Sequence, residues 1–222
     1  MAEWRLGILG GTFNPVHLGH LVLAEAFRER LGLDRVLFIP AGTPPHKPRG
    51  GLVSGLHRYA MVSLAVAGHP GFVASPIEIE RSGPSYTVDT VEALAGDWSG
   101  ARLFLLMGSD TFLDLPTWRT PERLGAFATL AVGYRAGSPF DPDGTAARTV
   151  LGRLGRTGWR RVPPDAAETL APGECVLVET RSVPVSAREV RDRLAAGESA
   201  RYQVPLTVAE YIAHHALYRE PA

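Results

Sequence analysis

Along the chain, short apolar runs alternate with stretches whose apolar residues recur every three or four positions. Runs of β character occupy residues 5–9, 35–40, 72–75, 102–107, 129–132 and 175–179, and helical spacing fills 17–31, 56–66 and 87–95 between them. Strands that alternate with helices in this way predict a doubly wound α/β fold around a parallel sheet. In such sheets a ligand lies beyond the C-terminal ends of the strands, where the strand order reverses. If the first and fourth strands are neighbours, the residues that follow them, Gly10-Gly11 and Gly108-Ser109-Asp110, meet at that point.

The junction of the first strand with the first helix carries the densest chemistry, G-G-T-F-N-P-V-H-L-G-H at 10–20. Glycines at a strand end let a ligand approach the backbone closely. The free N–H groups and the positive end of the helix dipole favour an anion there, a phosphate above all. His17 and His20 are three apart, share a face, and begin an inward stripe continued by Ala24, Phe27 and Leu31. The motif lacks the glycine spacing of dinucleotide turns and P-loops, and no H-E-x-x-H or Cys-x-x-Cys accompanies it. Two histidines at this spacing could bind zinc, or could be polar residues capping a helix.

The 222 residues, 45% of them hydrophobic, suffice for one domain, residues 1–222. A formal net charge of zero argues against broad attraction to nucleic acid or membrane and for a small-molecule partner. The chain enters a strand at once, with no room for a signal peptide, and no apolar run approaches the roughly 18 residues of a membrane span. The single cysteine, Cys175, sits in an apolar strand pattern and reads as buried and inert, so the cytoplasm is the default compartment. The sequence leaves the oligomeric state open, a homo-oligomer included.

Lys47 is the only lysine and Asn14 the only asparagine. Asn14 falls in the motif at 10–20, and Lys47 in the proline-rich segment after the second predicted strand. Asparagine before Pro15 can bond its own backbone to hold the turn, and lysine offers a mobile point charge suited to a phosphate. The arginine- and proline-rich bias fits a GC-rich genome or a thermophile alike. Residues 136–173 read as a short helix within an irregular surface excursion. The helical C-terminal part, 186–218, has helices at 187–196 and 206–217, and His214-His215 read as surface residues.

The motif at 10–20 resembles the signature of the nucleotidyltransferase superfamily. P-A-G-T-P-P-H-K at 40–47, P-S-Y-T-V-D-T at 84–90, G-S-D at 108–110, P-T-W at 116–118, V-S-A-R-E-V-R at 185–191 and L-Y-R at 217–219 follow in order. Together they resemble the bacterial nicotinate-nucleotide adenylyltransferases. The resemblance implies a single Rossmann-like nucleotidyltransferase domain that transfers AMP from ATP to nicotinate mononucleotide, releasing pyrophosphate.

The resemblance also implies roles. His17, His20, Lys47 and Arg191 would be catalytic. ATP would meet Gly10, Gly11, Thr12, Phe13, His17, His20, Gly108, Asp110, Ser186, Arg188 and Arg191. Nicotinate mononucleotide would meet Asn14, His46, Lys47, Tyr86, Thr87, Trp118, Arg119 and Arg135. A flat heteroaromatic ring suits Trp118, and its carboxylate needs donors such as Thr87. Mg²⁺ would arrive with ATP, held by substrate and water, with no dedicated protein metal site. Arg188 departs from the threonine usual in the family; it contacts phosphate, points to solvent, or pairs with Asp192. Two other readings stay open: a superfamily enzyme acting on phosphopantetheine or glycerol phosphate, and a non-catalytic nucleotide sensor.

Overall fold

The computed structural model describes residues 4–45, 51–135, 137–162, 174–181 and 183–219. In chain order its elements are β1 (Trp4–Gly11), α1 (Leu18–Leu31), β2 (Arg35–Pro40), α2 (Gly55–Val66), β3 (Phe72–Ala74), α3 (Ile77–Glu80), α4 (Thr87–Asp97) and β4 (Ala101–Gly108). There follow α5 (Ser109–Asp114), α6 (Leu124–Phe127), β5 (Thr129–Tyr134), α7 (Thr145–Arg153), β6 (Arg160–Val162), β7 (Cys175–Glu179), α8 (Ala187–Ala195) and α9 (Leu206–His214). The strand order is β3-β2-β1-β4-β5-β7-β6. β4 runs parallel to β1 with Leu6 opposite Leu103, so the first and fourth strands are neighbours and the order reverses between them.

The strands are buried because of what they carry. Leu6 to Leu9, Leu103 to Met107, Thr129 to Gly133 and Cys175 to Val178 are buried without interruption, the pattern of parallel strands covered on both faces. Cys175 is buried as expected, and burial pushes its thiol up to about 11, so it is an inert thiol. β6 escapes an apolar-run reading because Arg160 and Arg161 make up most of it; as the terminal strand of the order it tolerates charge. Between 136 and 173 the described residues thus hold the expected short helix, α7, and this added strand. The excursion is anchored by Trp159, whose ring lies 4.8 Å from that of Phe112.

The residues form two compact units. One comprises Met1–Leu9, Leu23–Leu37 and Tyr86–Arg181; the other comprises Gly10–Val22, Phe38–Ser85 and Ser182–Ala222. The first has β1, β4, β5, β7 and β6 as its parallel core. Here α1 buries Phe27 and Leu31, and Gly32, at a left-handed φ of 58°, stops the helix. In the second, α2 is capped by Ser54 and buries Arg58, Met61, Val62 and Val66. Ser186 caps α8 by accepting the Glu189 N–H, in an S-x-x-E spacing, and Val190 fixes the buried face.

Candidate active site

In the second unit, the segment after β1 is shaped by two aromatic rings. Phe13 has a positive φ of 48°, and its buried ring packs against Phe38 and, edge-to-face, against His20, at centroid distances of 6.0 and 4.9 Å. A side chain on Gly11 would bring a Cβ within 3.1 Å of the Phe13 ring, whereas a Cβ on Gly10 would meet nothing within 4 Å. A side chain at Gly11 would thus press on the Phe13 ring, whereas Gly10 borders open space. Phe13 was expected against ATP; its ring is core, so only its backbone is available to a ligand.

His17 stands just before α1, and its backbone N–H donates to Nδ1 of His20 at 3.2 Å. The two rings stack with centroids 3.7 Å apart. With Nδ1 engaged as an acceptor, the neutral His20 ring carries its proton on Nε2. His17 is buried, and burial lowers its pKa to about 4. Its Nδ1 has no hydrogen-bond partner among the described residues, an unmet group worth about 1–3 kcal/mol in lost solvation. A Cβ at Gly19 would sit 3.0 Å from that nitrogen, so the glycine of H-x-G-H leaves room beside it.

Asn14 does not turn back on its own backbone, as its place before Pro15 suggested. Its Nδ2 donates to the Gly51 carbonyl at 2.9 Å, and its Oδ1 accepts from the Val53 N–H at 3.3 Å and the Tyr218 hydroxyl at 2.9 Å. Long-range partners outcompete the local turn, and the side chain expected on the acceptor substrate is engaged within the protein. Arg191 lies close by, donating from Nη1 to the Asn14 carbonyl at 2.8 Å and to Ala187 at 3.1 Å. The H-x-G-H segment and the V-S-A-R-E-V-R segment are thus brought together through Asn14 and Arg191. Arg188 is exposed and forms no ion pair with Asp192. His46 and Lys47 lie outside the described residues.

In the first unit, Tyr86 occupies the N-cap of α4 and Thr87 its first position, so Thr87 is not the cap. The leading N–H groups of a helix lack intrahelical partners, which leaves donors beside the Thr87 hydroxyl. The Arg119 guanidinium lies 4.6 Å over the Tyr86 ring and 3.3 Å from the Asp89 carboxylate. Trp118 follows a short 3-10 turn, half-buried, its N–H donating to Leu115. The structure therefore gathers Tyr86, Thr87 and Arg119 around the start of α4. Gly108 ends β4 opposite Gly133 of β5; Asp110 stands exposed in the first turn of α5, and Arg135 follows β5.

Two residues that sequence reasoning did not single out are central to the second unit. Arg58 is fully buried and donates to the carbonyls of Val53, Thr12 and Gly42. Its signal was a cation on the apolar stripe of α2. Tyr218 had only its place in L-Y-R to mark it. Among the described residues no three His, Cys, Asp or Glu side chains are grouped to hold a metal ion. No helix among them is long and apolar enough to cross a membrane.

The sequence profile of the cytidylyltransferase-like family matches residues 8–193. A Thermomicrobium roseum protein named probable nicotinate-nucleotide adenylyltransferase is 44% identical over 215 residues, spanning 97% of this chain and 92% of the relative. A Thermus thermophilus protein of the same name is 39% identical over 215 residues, spanning 97% of this chain and 100% of the relative. Among solved structures, Plasmodium falciparum nicotinic acid mononucleotide adenylyltransferase complexed with NaAD has a TM-score of 0.71 at 16% identity, with 97% of each chain covered. At that identity the likeness is one of fold.

Proposed function

Since this chain belongs to the cytidylyltransferase-like family, among the nicotinate-nucleotide adenylyltransferases, we propose that its residues 10–20, with Ser186 and Arg191, receive the phosphates of ATP. The reaction is adenylyl transfer in NAD biosynthesis. A 5′-phosphate oxygen of nicotinate mononucleotide bonds to the α-phosphorus of ATP, the bond from that phosphorus to the bridging oxygen breaks, and pyrophosphate leaves. The acceptor phosphate is ionised at neutral pH, so no protein nucleophile is needed. The protein's part is to position two anions and stabilise the charge that develops.

One observation carries the assignment of the phosphate site: the His17 amide accepted by His20 Nδ1, which leaves the His20 proton on Nε2 as a donor. His17, neutral through burial, adds a second imidazole without bringing a charge that would hold the product too tightly. Gly10, where a side chain would meet nothing within 4 Å, lets a phosphate come close to the backbone. The Ser186 hydroxyl accepts from Glu189 and keeps its own proton to donate. Arg191 neutralises phosphate charge while fastened to Asn14, and Lys47 supplies a further cation. The donors gathered here are imidazoles, amides and a guanidinium, which suit phosphate oxygens and not a hard cation. A divalent ion, Mg²⁺ in this proposal, would therefore be held by ATP and not by these side chains, and would supply charge neutralisation for the leaving pyrophosphate.

For the acceptor, the proposal places the nicotinate ring on Trp118 and its carboxylate at the start of α4, with Thr87 donating and the Arg119 cation adding favourable charge. Asp110 takes a ribose hydroxyl of ATP. Purified protein given MgATP and nicotinate mononucleotide should release pyrophosphate and form nicotinic acid adenine dinucleotide. Pyrophosphate with phosphopantetheine alone would overturn the acceptor, and none with any phosphorylated acceptor would overturn the reaction.

A further inference from the structure

The turn after β1 is held from three directions by side chains distant in sequence. From α2, Arg58 donates Nη1 to the Thr12 carbonyl at 2.8 Å, Nη2 to Gly42 at 3.1 Å and Nε to Val53 at 3.1 Å. A buried guanidinium is costly unless its donors are met, so these three oxygens must keep their places for Arg58 to stay where it is. Gly42 can do so only as glycine, because a Cβ there would overlap the Glu78 carbonyl. Near the end of the chain, the Tyr218 hydroxyl donates to Asn14 Oδ1 at 2.9 Å. Burial drives the Tyr218 phenol far above its usual range, so it stays protonated and remains a donor.

The two anchors are joined. Val53 gives its carbonyl to Arg58 and its N–H to Asn14 Oδ1, the same oxygen that accepts from Tyr218. Arg191 closes the set on the Asn14 carbonyl. Thr12 and Asn14 bracket Phe13, whose ring meets that of His20 in an edge-to-face contact. We infer that Arg58 and Tyr218 are positioning residues for adenylyl transfer: without touching substrate, they lock residues 12–14 and thereby set the His17 and His20 rings and the Gly10–Gly11 backbone. The inference rests on the phosphate-site reading given above.

Tyr218→Phe removes one oxygen and tests it. Hydrogen–deuterium exchange should rise several-fold in residues 10–20 while the melting temperature moves by a few degrees. In the same variant kcat should fall about tenfold, the scale of one hydrogen bond, with smaller changes in either KM. Combined with Asn14→Ala, Tyr218→Phe should add nothing to the loss caused by Asn14→Ala alone, since the tyrosine acts through that side chain. Arg58→Lys keeps the charge but cannot span three carbonyls, and should cost more than Tyr218→Phe. Unchanged exchange in residues 10–20, additive losses in the double variant, or full kcat despite faster exchange would each overturn the inference. If the exchange responds as expected but the unaltered protein transfers no AMP, the anchoring stands and the functional reading falls.

Discussion

The imidazoles of His17 and His20 stack with planes 28° apart, although only His20 belongs to α1. His17 sits ahead of the helix, its amide on the ring of its partner and its own ring under Gly19. The pair is therefore held in place by contacts within the protein. That arrangement makes the two histidines unequal: one is a donor of fixed tautomer, the other a buried neutral ring.

His20→Ala should cripple turnover by about 10²–10³, the usual cost of losing one preorganised donor to developing charge. Circular dichroism and thermal melting should show the fold retained. An unfolded variant would make His20 a structural residue, and near-normal turnover would remove its role in the reaction.

His17 makes stability depend on pH in a stated window. Burial lowers its pKa from 6.5 to about 4, so between those values the unfolded chain binds a proton that the folded one refuses. Stability from this group is full above 6.5 and declines as pH falls toward 4, by roughly 3 kcal/mol at the limit. Urea denaturation midpoints at a series of pH values should show a steeper acid loss for the unaltered protein than for His17→Asn. Parallel curves would mean that His17 titrates like an exposed histidine.

Trp118 and the start of α4 set the acceptor preference in this reading. Trp118→Ala should raise the KM for nicotinate mononucleotide by an amount corresponding to about 1–3 kcal/mol, on analogy with bases stacked on aromatic rings. The KM for ATP should hardly move. Equal losses for both substrates would reduce Trp118 to a packing residue.

Arg188 is exposed, and no ion pair with Asp192 holds it, so it remains available to a phosphate. Arg188→Thr should weaken ATP affinity modestly and leave the acceptor unaffected. Arg191→Ala should do far more damage, because it also releases the Asn14 carbonyl. Calorimetric titration of ATP into both variants distinguishes the cases, and an unchanged affinity in Arg188→Thr makes Arg188 a surface charge.

Apart from β6, the strands that build the sheet were legible because each announces itself locally. β2 and β7 have the bounds their apolar runs predicted, and Ala24, Phe27 and Leu31 line the buried face of α1 as their spacing required. β6 was not legible: three residues, two of them arginines, carry no apolar pattern when a strand closes the order. The Ser186 cap is equally local, its hydroxyl accepting the Glu189 N–H three residues on.

What the sequence by itself determined is the alternation of strand and helix, and the glycine and histidine chemistry where β1 gives way to α1. Both are encoded within a few turns of chain, where period, capping and backbone freedom act. What only the tertiary structure decided is which groups meet Asn14. Tyr218 lies 204 positions from it, and Arg191 177 positions. No local preference of asparagine selects such partners; burial does, by stripping water from its amide and leaving the protein to supply every bond that water had made.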